Sequence, residues 1–199
     1  MNNDRNMNDL RQVRSIDTTF QTREDGDDLI IEGYFAVFNS NYDIDKGMSE
    51  SIKPGAFASS MGKDIRALVN HDTTLVLGRT SAHTLELNED EHGLFGRIRI
   101  NRKDTDAMNC YERVKRGDVT GCSFGFFIIA EETEIRDDGS IHWTITDLDL
   151  FEVSACTFPA YQATNISARS KERDDLRRRE LDAWKAKMTS RLKGDSTNA

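Results

Sequence analysis

Short apolar runs with period-two alternation dominate the chain between residues 29 and 156, and they predict strands. Leu29 to Phe38 (LIIEGYFAVF) is rich in β-branched and aromatic residues, and Ile65 to Asn70 (IRALVN) is a short apolar run closed by a polar residue. In Leu94 to Ile100 (LFGRIRI), Leu94, Ile98 and Ile100 share one parity and Arg97 and Arg99 the other, so one face of the strand belongs to a core and one to water. Glu89 to Gly93 is the turn joining it to the TLEL strand before it. Phe124 to Ala130 (FGFFIIA) reads as another strand, and Asp138-Gly139 is a hairpin signal leading into Ile141 to Ile145. Two helices interrupt the pattern. A short one starts at Pro54, where proline suits a first helical turn. The other, Asp104 to Arg116, puts Ala107, Cys110, Tyr111 and Val114 on one side and ends before Gly117. Many short strands with two helices predict a mainly β, α+β body, a compact β-barrel or sandwich decorated by helices.

The ends read differently. Residues 1 to about 15 are polar and aperiodic, and residues 1–19 are expected to form a disordered arm. Beyond residue 164 there is no Gly or Pro from Ala168 to Lys193, and Leu181, Trp184, Met188 and Leu192 recur as one narrow helical stripe. This predicts a separate amphipathic helical tail over residues 165–199, either a solvated helix packing one seam or a docking element.

With 199 residues, one domain and an appendage is the expected organisation, here residues 20–164 and the tail. The net charge of −8 conceals a division: residues 165–199 carry 10 Lys/Arg and 6 Asp/Glu, against 17 and 29 in the rest. An acidic body lacks the concentrated positive field that phosphate binding needs, so no nucleic acid partner is expected. No apolar run reaches a membrane-spanning length, and the first residues lack the apolar region of a secretory signal, which points to a cytoplasmic setting without membrane contact. Cys110, Cys122 and Cys156 lack zinc or CxxC spacing and read as reduced thiols, and nothing in the chain asks for a metal or cofactor.

Chemistry concentrates at Gly121-Cys122-Ser123-Phe124-Gly125, a G-x-S-x-G match. An α/β-hydrolase elbow needs a strand before the motif and a helix after it; here the order is reversed, which disfavours an esterase. Without a function, the glycines would mark a tight turn or a close backbone approach. A serine hydroxyl needs a neighbouring base, and His71 is the candidate because it ends a core strand, where side chains project into a cleft. His83 and His92 lie near polar turns and read as surface histidines.

The ordered series EGYFAVFN at 32–39, PGAF at 54–57, NHD at 70–72, LGR at 77–79, GL at 93–94, GCSFGF at 121–126 and FEVSACTFPA at 151–160 resembles the prohead proteases of tailed bacteriophages, which are distant relatives in fold of the herpesvirus assemblins. The resemblance covers about residues 20 to 164. It implies an assemblin-like β-barrel with surrounding helices, and a capsid-maturation serine endopeptidase working inside the procapsid in the host cytoplasm. It makes His71 the general base and Ser123 the nucleophile. The implied protein substrates are scaffolding sequence and the N-terminal extension of the major capsid protein, with self-cleavage in addition; oligomeric state is left open. A catalytically silent barrel binding coat or scaffold protein is the alternative, disfavoured because both His71 and Ser123 are retained.

Assemblins use a second histidine as third member, but only His142 follows Ser123, and its parity with Thr144 and Thr146 points it to solvent. Among Asp147, Asp149 and Glu152, an extended chain puts Glu152 on one face with Leu148, Leu150, Ser154 and Cys156. A carboxylate held among leucines needs a partner, which imidazole Nδ1–H supplies. Glu152 is therefore the expected third residue, against the reading of a buried glutamate paired with an arginine for structure. Asp72 is a poorer choice because adjacent residues on an extended chain point apart. Arg79 is a candidate for oxyanion stabilisation, with an ordinary ion pair as its competing role.

Overall fold

A computed structural model describes residues 11–17, 20–158 and 163–194, which divide into two units, residues 1–162 and 163–199. Among the described residues of the first unit there are eleven strands: β1 (Gln12–Asp17), β2 (Gln21–Asp25), β3 (Asp28–Val37), β4 (Tyr42–Asp45), β5 (Met48–Ile52), β6 (Arg66–Val69), β7 (Asp72–Arg79), β8 (Leu85–Glu89), β9 (Gly93–Ile100), β10 (Gly121–Ile135) and β11 (Ile141–Cys156). Helix α1 (Thr105–Arg116) starts at Asp104, whose carboxylate accepts from the Asp106 and Ala107 N–H groups, and stops at Gly117, left-handed at φ 86°. Its buried residues are the four that the periodicity selects. The segment after Pro54 forms turns and one 3-10 turn, Ala58–Ser60, where a short helix was expected.

The strands form a seven-stranded and a four-stranded sheet, the latter in the order β2-β3-β9-β8. No ladder joins the two among the described residues, so the fold is mainly β with helices, and no closed barrel is found among those residues. The reason lies in β11, which pairs in parallel with β5 along Ile141–Ile145 and with β6 along Glu152–Ala155. One long strand thus serves two neighbours on the same edge, and the sheet branches instead of closing. The core lies between the sheets and under α1, with Ile31, Phe35, Leu94 and Ile98 meeting Phe124, Phe126, Leu150 and Val153.

The β10–β11 ladder contains a bulge that decides what faces the core. Gly125 pairs with Glu152 and Phe126 with Leu150, which leaves Phe151 without an opposite residue. Directly opposed residues share a face, so Leu148 and Leu150 enter the core on one side of the bulge and Val153 and Ala155 on the other. Glu152, Ser154 and Cys156 turn to the opposite face, with Gly121, Ser123 and Gly125. The uninterrupted alternation that put Glu152 beside the leucines is therefore corrected: the extra residue reverses the parity.

Two other expectations change. The arm expected to be disordered over residues 1–19 contains β1, an edge strand antiparallel to β10 that pairs Ser15 with Ser123. It forms because Arg14, fully buried, makes a two-point ion pair with the equally buried Glu50, at 2.5 and 2.7 Å. His142 is buried rather than solvent-facing, with Nδ1 2.8 Å from Ser49 Oγ and Nε2 2.8 Å from Ser51 Oγ. The ring is enclosed by the Ser49 and Ser51 side chains, which stand on the same face of the sheet in the neighbouring strand β5.

Strands β6 and β7 are joined by Asn70 and His71 alone, at φ 50° and 61°. Positive φ at both central residues is the two-residue hairpin geometry that asparagine and glycine favour and histidine does not. The turn is tied to the end of β11, since Asn70 N–H donates to Ala155 O at 2.9 Å and His71 N–H to Ser154 Oγ at 3.2 Å.

The second unit is described by α2 (Ala163–Gly194), a charged helix with internal ion pairs such as Arg178–Asp175 at 3.5 Å; Leu181 and Trp184 are exposed on it. The Leu192 side chain of the expected stripe lies outside the described residues.

Two stability predictions follow from these placements. His71→Gly and His71→Ala both lose the imidazole, but only glycine relaxes at φ 61°, so urea midpoints will show His71→Gly the more stable by about 1 kcal/mol. Burial first, and the Arg136 charge next, lower the His142 pKa below its ordinary 6.5. The unfolded chain then binds the extra proton first, and stability falls as pH drops below about 6.5. Between pH 7.5 and 5.5 the fall in unfolding free energy will be shallower in His142→Gln than in wild type.

Candidate active site

Ser123 lies within β10, not on a turn, and is fully buried. The glycines of its motif are there for close approach. A Cβ on Gly125 would overlap the Glu152 carboxylate and come within 2.8 Å of the Phe151 ring, and one on Gly121 would lie 3.0 Å from Cys156 O. The face carrying Ser123 therefore has room beside the serine for groups from β11 and for nothing of its own.

Glu152 and His71 use that room. His71 Nδ1 is 2.6 Å from Glu152 Oε1, and a carboxylate oxygen accepts, so the hydrogen sits on Nδ1 and Nε2 is the basic nitrogen. The other carboxylate oxygen accepts from Ser154 Oγ at 2.7 Å, and the same hydroxyl oxygen accepts the His71 N–H. Ser154 thus fixes both the turn carrying the histidine and the carboxylate orienting its ring. It is also the residue opposite Ser123, one strand away, where opposed Cα atoms are about 5 Å apart.

In this state Ser123 and His71 are held by other partners. The Ser123 hydroxyl donates to the Arg14 carbonyl at 2.8 Å. His71 Nε2 faces Cys156 Sγ at 3.8 Å. Burial, and then the nearby Glu152 charge, push that thiol up to about 12, so it stays protonated, a weak donor to the imidazole. Arg11, half-exposed, brings Nη2 within 3.4 Å of Glu152 Oε1 and lays its guanidinium 4.9 Å from the Phe151 ring centre. Glu152 therefore has an arginine partner as well as the histidine.

The remaining sequence candidates are engaged elsewhere. Arg79 pairs with Asp64 in a two-point contact, Nε to Oδ1 at 2.7 Å, and holds the Asp64 carboxyl below the usual carboxylate range. By register Arg79 lies opposite Arg66, which lies opposite Glu152, so three strand spacings, about 14 Å, separate it from β10. The structure gives it the ordinary ion pair and does not bring it to Ser123. Asp147 accepts from Ser59 Oγ and Asp149 from Lys63 Nζ, both at 2.7 Å, while Asp72 accepts from Thr74; His83 and His92 are exposed. Ser154, Arg11 and Arg14 were missed. Only Ser154 left a sequence signal, two residues after Glu152 and hence on its side of the bulge.

The model of the caudovirus prohead serine protease family matches residues 16–179. The prohead protease of Enterobacteria phage HK97 is 33% identical over 156 residues, 76% of this chain, and the chain spans 65% of that protein's length. Among solved structures, that of the bacteriophage T4 capsid assembly protease, gp21, aligns with a TM-score of 0.51 at 10% identity, over 73% of this chain and 96% of the other, a likeness of fold. The family match spans β10, β11 and the β6–β7 turn, the three elements that carry the serine, the glutamate and the histidine, and the chain belongs to the caudovirus prohead serine protease family.

Proposed function

We propose that the chain is a serine endopeptidase of capsid maturation, with Ser123 as nucleophile, His71 as general base and Glu152 as the group that orients and charges against the imidazole. The observation that carries this reading is the 2.6 Å contact between His71 Nδ1 and Glu152 on the face that Ser123 shares. Nε2, turned from Cys156 to Ser123, takes the hydroxyl proton as Oγ attacks the scissile carbonyl carbon. The resulting imidazolium is stabilised by Glu152, and the same proton passes to the leaving amine. With Arg79 committed to Asp64, backbone N–H groups near Ser123 are the donor class for the oxyanion.

The substrates under this proposal are scaffolding sequence and the N-terminal extension of the major capsid protein, together with the enzyme itself, cut inside the assembling procapsid in the host cytoplasm. Family membership and the names of the HK97 and T4 proteins support the setting. The basic α2, with Arg177, Arg178 and Arg179 in succession, is the docking element toward an acidic assembly partner. A silent coat-binding module would have no use for a strained histidine turn facing a carboxylate buried opposite a required glycine.

Co-expression with capsid substrate tests the assignment. Ser123→Ala and His71→Ala will leave it uncut, and Glu152→Gln, which keeps the shape but not the charge, will lower turnover at least about 100-fold while folding normally. Processing by Ser123→Ala at the wild-type rate would remove the serine from its role. Ser154→Ala leaves one Glu152 oxygen without its donor and will lower kcat about 10-fold, with Ser154→Thr restoring it.

A further inference from the structure

A protease of this kind must place a peptide carbonyl carbon at Ser123 Oγ. An extended substrate does this by adding a strand to the free edge of the sheet beside the nucleophile. That edge is not free. β1 is paired along Gln12–Asp17 with Gly121–Phe126, with Ser15 opposite Ser123. Its contacts fall on the catalytic groups themselves. The Arg14 carbonyl takes the Ser123 hydroxyl, and Arg11 reaches the same Glu152 oxygen that His71 Nδ1 uses. The Arg14 side chain, on the other face of the strand, is fastened to Glu50 in the interior.

We propose that residues 11–17 are a self-inhibitory strand, which occupies the substrate edge of β10, holds the nucleophile in an unproductive hydrogen bond and must be displaced before a peptide is cut. This inference rests on Ser123 being the nucleophile. The contact is unproductive by its direction. The hydroxyl spends its hydrogen on the carbonyl oxygen, whereas attack needs an oxygen lone pair on the carbonyl carbon and the hydrogen on His71 Nε2. The base is disengaged in the same state, facing Cys156. The segment therefore acts as an occupant of the edge and not as the first peptide to be cleaved. Three contacts from one seven-residue stretch, to serine, glutamate and the interior, distinguish it from an edge strand that merely completes the sheet.

The test uses the full-length chain and a fluorophosphonate that reacts with an accessible, activated serine. Residues 14 and 16 turn their N–H groups to β10, as the Arg14 carbonyl does, so Ile16→Pro removes a ladder hydrogen bond from β1 without touching a catalytic group. Labelling of Ser123, located by peptide mass spectrometry, will be about 10-fold faster or more in Ile16→Pro than in wild type, because the open form is a minor population until the strand is weakened. In wild type, amide exchange will show residues 12–17 losing protection once Ser123 carries the adduct, while β11 keeps its own. This second measurement needs no variant and decides the matter even where the proline unfolds the chain. Equal labelling rates in the two proteins, or an adduct under which β1 stays fully protected, would overturn the inhibitory strand and leave the catalytic reading intact. No labelling of Ser123 in either protein, with other serines reacting, would overturn the catalytic reading and the inhibitory strand with it.

Discussion

The extra residue at Phe151 is the constraint on which the site depends. Without it, β11 would alternate regularly, and Glu152 would follow Leu148 and Leu150 into the core, a carboxylate among hydrocarbon at a cost of several kcal/mol. With it, the strand feeds leucines to the core before the bulge and valine and alanine after it, while the polar residues of the EVS segment emerge on the face that carries the serine. Bulges re-aim side chains next to active sites, and here the re-aimed group is the one that fixes the histidine tautomer.

Room and strain complete the arrangement. Gly125 yields its side-chain volume to the Glu152 carboxylate, and His71 sits in a backbone region that costs a histidine about 1–2 kcal/mol. That outlier persists because the turn is tied at both residues, Asn70 to Ala155 and Thr157, His71 to Ser154. Residues held in sparsely populated conformations by over-determined surroundings cluster at functional sites, and the only left-handed pair in the described hairpins is the one carrying His71.

How much of this the sequence disclosed depended on the distance over which each cause acts. Helix α1 was legible because its cap, its apolar stripe and its terminal glycine lie within one segment. The alternation of β9 was legible because one face is dry and the other wet. His71 and Ser123 stood out by residue type and by a motif series in the right order. Glu152 was chosen for a face it does not occupy, since a bulge leaves no mark in period-two counting. β1 was illegible because QVRSID looks polar until Glu50, 36 residues from Arg14, supplies the charge that lets the arginine be buried. His142 misled for a related reason: strand parity says which way a side chain points, but not that side chains of the neighbouring strand, here Ser49 and Ser51, enclose it there.

The Arg14–Glu50 pair also decides what can and cannot loosen the N-terminal strand. Mobile ions screen charges in water over about 10 Å at 0.1 M salt, which weakens exposed pairs such as Lys63–Asp149. A pair with no solvent contact lies outside that atmosphere, and salt has little purchase on it. What competes with β1 is another strand for the same edge, and competition of that kind is governed by effective concentration. In dilute solution such a competitor is scarce. Where extended peptide is crowded against that edge the balance tips, so that confinement, rather than any change in the medium, is the condition under which such a strand gives way.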